Sequence, residues 1–174
     1  MSINEKTRFK KSKFTRFLQF LVQLIVAALV TFFVASTLHT QSVLSNLIAI
    51  GAEIPFAIRI ETVFKDYLGL LPSYGVIIFI GMLIAMPIAG LISKTLSSKS
   101  QKEESVEQSP NNETQLWLFA LAGAVAIFTI LAAMQPIMNI TIIAGARGFS
   151  GMFTQSIAGA IGGGAFALVR SRFA

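Results

Sequence analysis

The chain has 174 residues, 54% of them hydrophobic, with a mean hydropathy of +0.72 and a formal charge of +6. Composition this apolar excludes an ordinary water-soluble domain, and the absence of cysteine excludes disulfides, thiol nucleophiles and thiolate metal sites. The basic residues flank apolar runs instead of lining a polar surface, so the charge reads as a topology signal and not as a nucleic-acid footprint.

Residues 1–16 form a basic N-terminus carrying Lys6, Arg8, Lys10, Lys11, Lys13 and Arg16. The first apolar run, 17–37, would rise about 30 Å as a helix, the thickness of the hydrocarbon core. It is longer than the roughly 7–15 residues of a signal-peptide core, so it is expected to remain as an anchor. Its polar members include Gln19 and Gln23, four apart and hence on one helix face.

The segment 38–69 mixes charge with apolar residues. Ser42 to Ile50 reads as a short helix ended by Gly51, and Pro55 suits the first turn of a second one. In that second helix Phe56, Ile60, Val63, Phe64, Tyr67 and Leu68 recur at spacings of three and four. Arg59, Thr62 and Asp66 share the other side, and Glu61 precedes Lys65 by one turn. The pattern predicts a short amphipathic helix lying on the outer membrane surface or capping the bundle, separate from the spans and not a fifth one.

A second span is expected over 70–92, with Pro72 in its first turn and Pro87 as an internal kink. Residues 93–115 are rich in Ser, Glu, Lys and Asn and poor in large apolar side chains, which predicts a disordered cytoplasmic loop. A third span fits 116–134, with Trp117 at its cytoplasmic mouth and Tyr67 and Tyr74 near the outer mouth of the second. Residues 135–148 make a short, apolar outer loop. A fourth span fits 149–169, followed by a cytoplasmic C-terminus at 170–174.

Four spans place eleven basic residues on the cytoplasmic side and leave only Arg59, Lys65 and Arg147 outside. Dropping any span scatters them, so the positive-inside rule favours four, with both termini cytoplasmic. The fold class expected is an all-α integral membrane protein: a bundle of four transmembrane helices plus the outer amphipathic helix. A bacterial inner membrane suits the compact size and simple charge signal.

Within the fourth span, small residues recur at spacing four in three sets: Ser156, Ala160 and Gly164; Ala158 and Gly162; Gly159 and Gly163. Such spacing lets helix backbones approach closely. Gly51-Ala52-Glu53 faintly echoes Gly145-Ala146-Arg147, and the opposite charges of Glu53 and Arg147 suggest a salt bridge clasping the two hairpins at the outer face.

Catalytic chemistry has little to draw on. His39 is the sole histidine and is expected to be a surface loop residue, and no metal-ligand spacing, phosphate loop or nucleophile motif occurs. No enzyme activity, cofactor or metal is therefore expected. The partners expected are the lipid bilayer and either a second copy or another membrane protein, with no nucleic acid. The sequence favours an accessory or scaffold subunit, or a homo-oligomer, acting through helix packing. The alternative is a small channel or transporter for a neutral or weakly polar solute, using Gln19, Gln23 and Gln155.

Overall fold

The computed structural model describes residues 13–103, 112–138 and 148–173. They form α1 (Lys13–Ala49), α2 (Phe56–Leu70), one π turn (Leu71–Gly75), α3 (Val76–Glu103), α4 (Asn112–Met138) and α5 (Gly148–Phe173), with no strand among the described residues. Four helical stretches are long and apolar enough to cross a membrane: Lys13–Ala49, Phe56–Leu96, Glu113–Met134 and Phe149–Phe173.

Contacts give the directions of the helices. Along α5, Gln155, Gly162 and Phe166 meet Ala35, Thr31 and Phe20 of α1 in reverse order, so the two are antiparallel. Gln155, Gly162 and Arg170 meet Tyr74, Met82 and Gly90 in forward order, so α3 runs parallel to α5. α4 is antiparallel to α5, pairing Phe128 with Phe149 and Phe119 with Gly163. The result is an up-down-up-down bundle. One end, here called the basic end, gathers Lys94 and Arg170, and the opposite end carries Gly51.

The core is filled by Leu24, Ala27 and Phe32 of α1, Ile78, Met82 and Met86 of α3, Phe119, Ile127 and Leu131 of α4, and Ala158 and Phe166 of α5. Buried among them are Gln23, Thr31, Ser36, Thr40, Gln155 and Ser156, while Leu18, Leu29, Ile84, Leu121, Phe153 and Leu168 stand exposed. Polar groups inside and large apolar ones outside is the reverse of the arrangement that water selects.

Four boundaries differ from those expected. α1 does not stop near residue 37 but runs on to Ala49, taking in the stretch predicted as a separate short helix. Nothing in 38–49 breaks a helix, and Leu44 is buried. The stop comes at Gly51, whose φ of 95° suits glycine and closes the end: Gly51 N donates to Ile48 O and Ala52 N to Leu47 O.

The predicted outer helix is not separate either. α2 passes through the π turn into α3, so Pro72 sits inside a continuous rod instead of opening a span. Proline has no amide hydrogen to donate to the preceding turn, and a widened turn is one way for a helix to carry it without breaking. α2 meets α1 along the boundary between its apolar stripe and its charged side. Phe56, Phe64 and Leu68 of the apolar stripe are exposed, while Asp66 and Tyr67 pack on α1. Glu61 and Lys65 form the i,i+4 ion pair at 2.7 Å, exposed and of little energetic weight.

The third difference concerns 93–115, where the disordered loop was expected: α3 continues to Glu103 and α4 begins at Asn112, leaving 104–111 outside the described residues. The fourth is at the apolar outer loop, where α4 runs past Pro136 to Met138 and α5 starts at Gly148. The intervening 139–147, which includes Arg147, lies outside the described residues.

Candidate functional site

α5 comes closest to its neighbours where glycine removes the side chain, and its small residues sort by neighbour. Gly159 and Gly163 face α4: a Cβ added at Gly159 would collide with the Gly123 carbonyl oxygen, and one at Gly163 with the Phe119 carbonyl. Gly123 returns the contact, since its own Cβ would strike the Gly159 carbonyl. Gly162 faces α1 and α3, where a Cβ would fall on Thr31 Oγ1 and within 2.9 Å of both Ala27 O and Met82 Cε. Ala158, fully buried, shares that side by its spacing of four.

Gly164 differs, with nothing nearer than Leu116 Cδ1 at 3.9 Å. Ser156 is buried but donates to Met152 O of its own helix, and Ala160 is half-buried. Gly123 escaped the sequence reading because it stands singly among alanines and valine. The available signal was Ala120, Gly123 and Ala124, which place small residues on adjoining faces of α4.

Above this seam, Gln155 ties three elements together. It is 1% exposed, its Nε2 donates to Ala35 O of α1 at 3.2 Å, and its Oε1 accepts from the Tyr74 hydroxyl at 3.2 Å. Tyr74 was expected at the interface with the outer mouth. It is instead the largest side chain buried in the core, turned inward by the π turn. Interhelical hydrogen bonds in a membrane average about 0.6 kcal/mol and reach about 2 kcal/mol. Gln155→Leu removes two and strands a buried hydroxyl, so we expect a loss of about 2 kcal/mol in detergent unfolding, against well under half of that for Tyr74→Phe.

The polar seam continues along α1 toward the opposite end. Thr31 Oγ1 donates to Ala27 O at 2.9 Å, and Ser36 Oγ is buried with no hydrogen-bond partner among the described residues. Thr40 Oγ1 donates to Asp66 Oδ2 at 2.6 Å, and the Thr37 and Tyr67 hydroxyls lie 2.7 Å apart. His39 is no loop residue: it is buried on α1, within electrostatic reach of Asp66. Phe33 packs edge-on against Tyr67 with ring centroids 5.1 Å apart, completing the hold of α2 on α1.

The three glutamines do not meet. Gln23 is buried and Gln19 half-buried near the basic end, neither with a hydrogen bond among the described residues, and the close contact of Gly162 with Thr31 and Met82 lies between them and Gln155. On the far side of Gln155 a cavity of about 720 Å³ opens between α1 and α5, lined by Gln41, Ser42, Ser45, Asn46, Ser150 and Thr154. Its polar lining holds amides and hydroxyls and no charged group.

Pro87 lies within α3 and is exposed, on the wall of a different cavity at the basic end. Glu53 is exposed in the connection between α1 and α2. The clasp predicted for it lies outside the described residues, because Arg147 does. No group of three or more His, Asp or Glu side chains that could hold a metal occurs among the described residues. Comparison with known proteins adds no functional assignment, since no protein-family model, no curated protein and no solved structure matches the chain.

Proposed function

We propose that this is a small inner-membrane protein with four spans and both termini cytoplasmic, carrying no catalytic chemistry and serving as an accessory or scaffold subunit that seats a partner's transmembrane helix. Membrane placement is supported by the four long apolar helices and by the many large apolar side chains that stand exposed on them. The basic end, with Arg16, Lys94, Arg170 and Arg172 near it, fits the cytoplasmic side.

One observation carries the partner reading. The glycine face of α5 is consumed inside the bundle, so association has to use another surface, and α3 and α4 leave one between them. It is a groove of about 520 Å³ with almost no polar lining. Ile84 and Ile88 rise on one rim and Leu121 and Val125 on the other, over a floor of Ala85, Ala89, Ala122 and Ala126. Small residues beneath a pair of ridges admit a helix closely. A homodimer whose two-fold axis passes through the groove would set groove on groove and leave both unfilled, so the occupant proposed is a helix from a different protein.

The test is extraction of the full chain from its host in native lipid nanodiscs. Wild type is expected to carry a second membrane protein at fixed stoichiometry. Ala126→Trp, which fills the groove, is expected to lose it with an unchanged helical melt, whereas Phe153→Trp, an exposed position on α5, retains it. A wild-type particle containing this chain alone sinks the proposal.

A second reading is favoured by the polar cavity above Gln155, which is of a kind to receive a small neutral solute. Under that reading Gln155→Leu abolishes solute flux into liposomes while assembly stays intact. Under the packing reading it alters stability or assembly, and wild-type liposomes show no flux.

A further inference from the structure

At the basic end, α1, α3 and α5 border an open cavity of about 400 Å³. Its walls are apolar: Phe20 from α1, and Met86, Pro87 and Leu91 from α3. Two cations, Lys94 and Arg170, converge on it from different helices. Neither has a carboxylate within ion-pair distance among the described residues.

Arg170 is not a loose surface charge. Its guanidinium lies over the Phe119 ring, 5.1 Å from the centroid, and Phe119 packs on Phe166 at 5.1 Å, which in turn meets Phe20 edge-on at 5.9 Å. Gly90 makes room on the other side: a Cβ there would stand 3.4 Å from an Arg170 nitrogen. The aromatic row that starts from Phe20 on the cavity wall ends at Phe119 beneath the cation and holds it in place, so little ordering remains to be done when an anion arrives.

A held guanidinium and an exposed ammonium beside a hydrocarbon-lined slot match a molecule with an anionic head and an apolar tail. We propose that this cavity binds one anionic phospholipid, its phosphate between Arg170 and Lys94 and an acyl chain along Phe20, Met86, Pro87 and Leu91. Basic pockets between membrane helices on the cytoplasmic side suit such headgroups on charge and depth alike. The proposal rests on the membrane reading above but not on the partner helix, which would use a different face of α3.

The experiment is native mass spectrometry of the full chain in detergent, titrated with phosphatidylglycerol or with phosphatidylcholine. Wild type is expected to retain one phosphatidylglycerol in preference to phosphatidylcholine. Each cation beside a lipid headgroup is worth about fivefold in binding, so Lys94→Gln with Arg170→Gln should weaken retention by about twenty-fivefold, and Arg172→Gln, with the same loss of charge as either single change but outside the cavity, should not.

Equal retention of the two lipids, equal weakening by Arg172→Gln, or displacement of the lipid by inorganic phosphate overturns the site. If the double variant does not fold, the exposed Lys94→Gln alone decides, with about fivefold weakening expected and none overturning the proposal. Failure of the membrane reading looks different: the chain would then be recovered from cells without detergent.

Discussion

Alanine at Gly159 or Gly163 is expected to lower the melting temperature in detergent by about 5–10 °C, corresponding to about 2–3 kcal/mol of overpacking. Both methyl groups would meet backbone of α4, not the end of a flexible side chain, so relief requires the two helices to separate. α4 and α5 are held here by backbone proximity, and small displacements forfeit many dispersion contacts at once. Gly164→Ala is the matched control. Its methyl would find only Leu116 Cδ1 at 3.9 Å, so the helix-propensity gain of up to about 1 kcal/mol should appear undiminished. Three melts decide the matter: if all three variants behave alike, the close approach of α4 to α5 is not what stabilises the bundle.

The second large effect is expected at Gly162, where α5 passes α1. Gly162→Ala places a methyl on the Thr31 hydroxyl and should destabilise by about 2–3 kcal/mol. Thr31→Ala alone removes only a bond to its own helix carbonyl and should cost less than about 1 kcal/mol. Combined, the two substitutions should be more stable than Gly162→Ala by itself, a coupling of about 1 kcal/mol or more in a double-mutant cycle. Recovery should stay incomplete, because Ala27 O and Met82 Cε remain 2.9 Å from the added carbon. Strictly additive losses would show that Thr31 and Gly162 do not share the contact.

Much of this architecture was legible in the sequence because length and apolarity are one-dimensional properties. The four long apolar helices needed only uninterrupted runs, and the spacing of four between Gly159 and Gly163 and between Ala158 and Gly162 falls where α5 approaches other helices closely. Direction was not legible. Periodicity marked Phe56, Ile60, Val63, Phe64, Tyr67 and Leu68 as one stripe of α2, but not how it divides: Tyr67 packs on α1 beside Asp66 from the charged side, while Phe56, Phe64 and Leu68 are exposed. Tyr74 was misplaced for a related reason: tyrosine is common at membrane interfaces, and nothing local announces a buried amide partner 81 residues away.

Pro72 misled through its commonest role. Proline usually opens a helix, so a break before it was the natural reading, whereas the chain absorbs it in a π turn. Gly123 carried too little signal on its own, since a single glycine in a run of alanines says nothing about which helix will lie against it. Gln155 was singled out for its polarity, but its two hydrogen bonds depend on Ala35 and Tyr74 reaching the same depth, which only the packing of three helices decides.

Tyr67 and Tyr74 are seven residues apart, a spacing that on an uninterrupted α-helix aims two side chains at the same neighbour with a drift of only about 20°. The wide turn from Leu71 to Gly75 changes the phase between them, so the Tyr67 hydroxyl meets Thr37 of α1 while the Tyr74 hydroxyl meets Gln155 of α5. A single stiff rod thereby addresses two partners. Torque applied to the α1–α2 hairpin reaches Gln155 directly, through helix and not through a slack loop, which places the hairpin in mechanical series with a buried amide of the core.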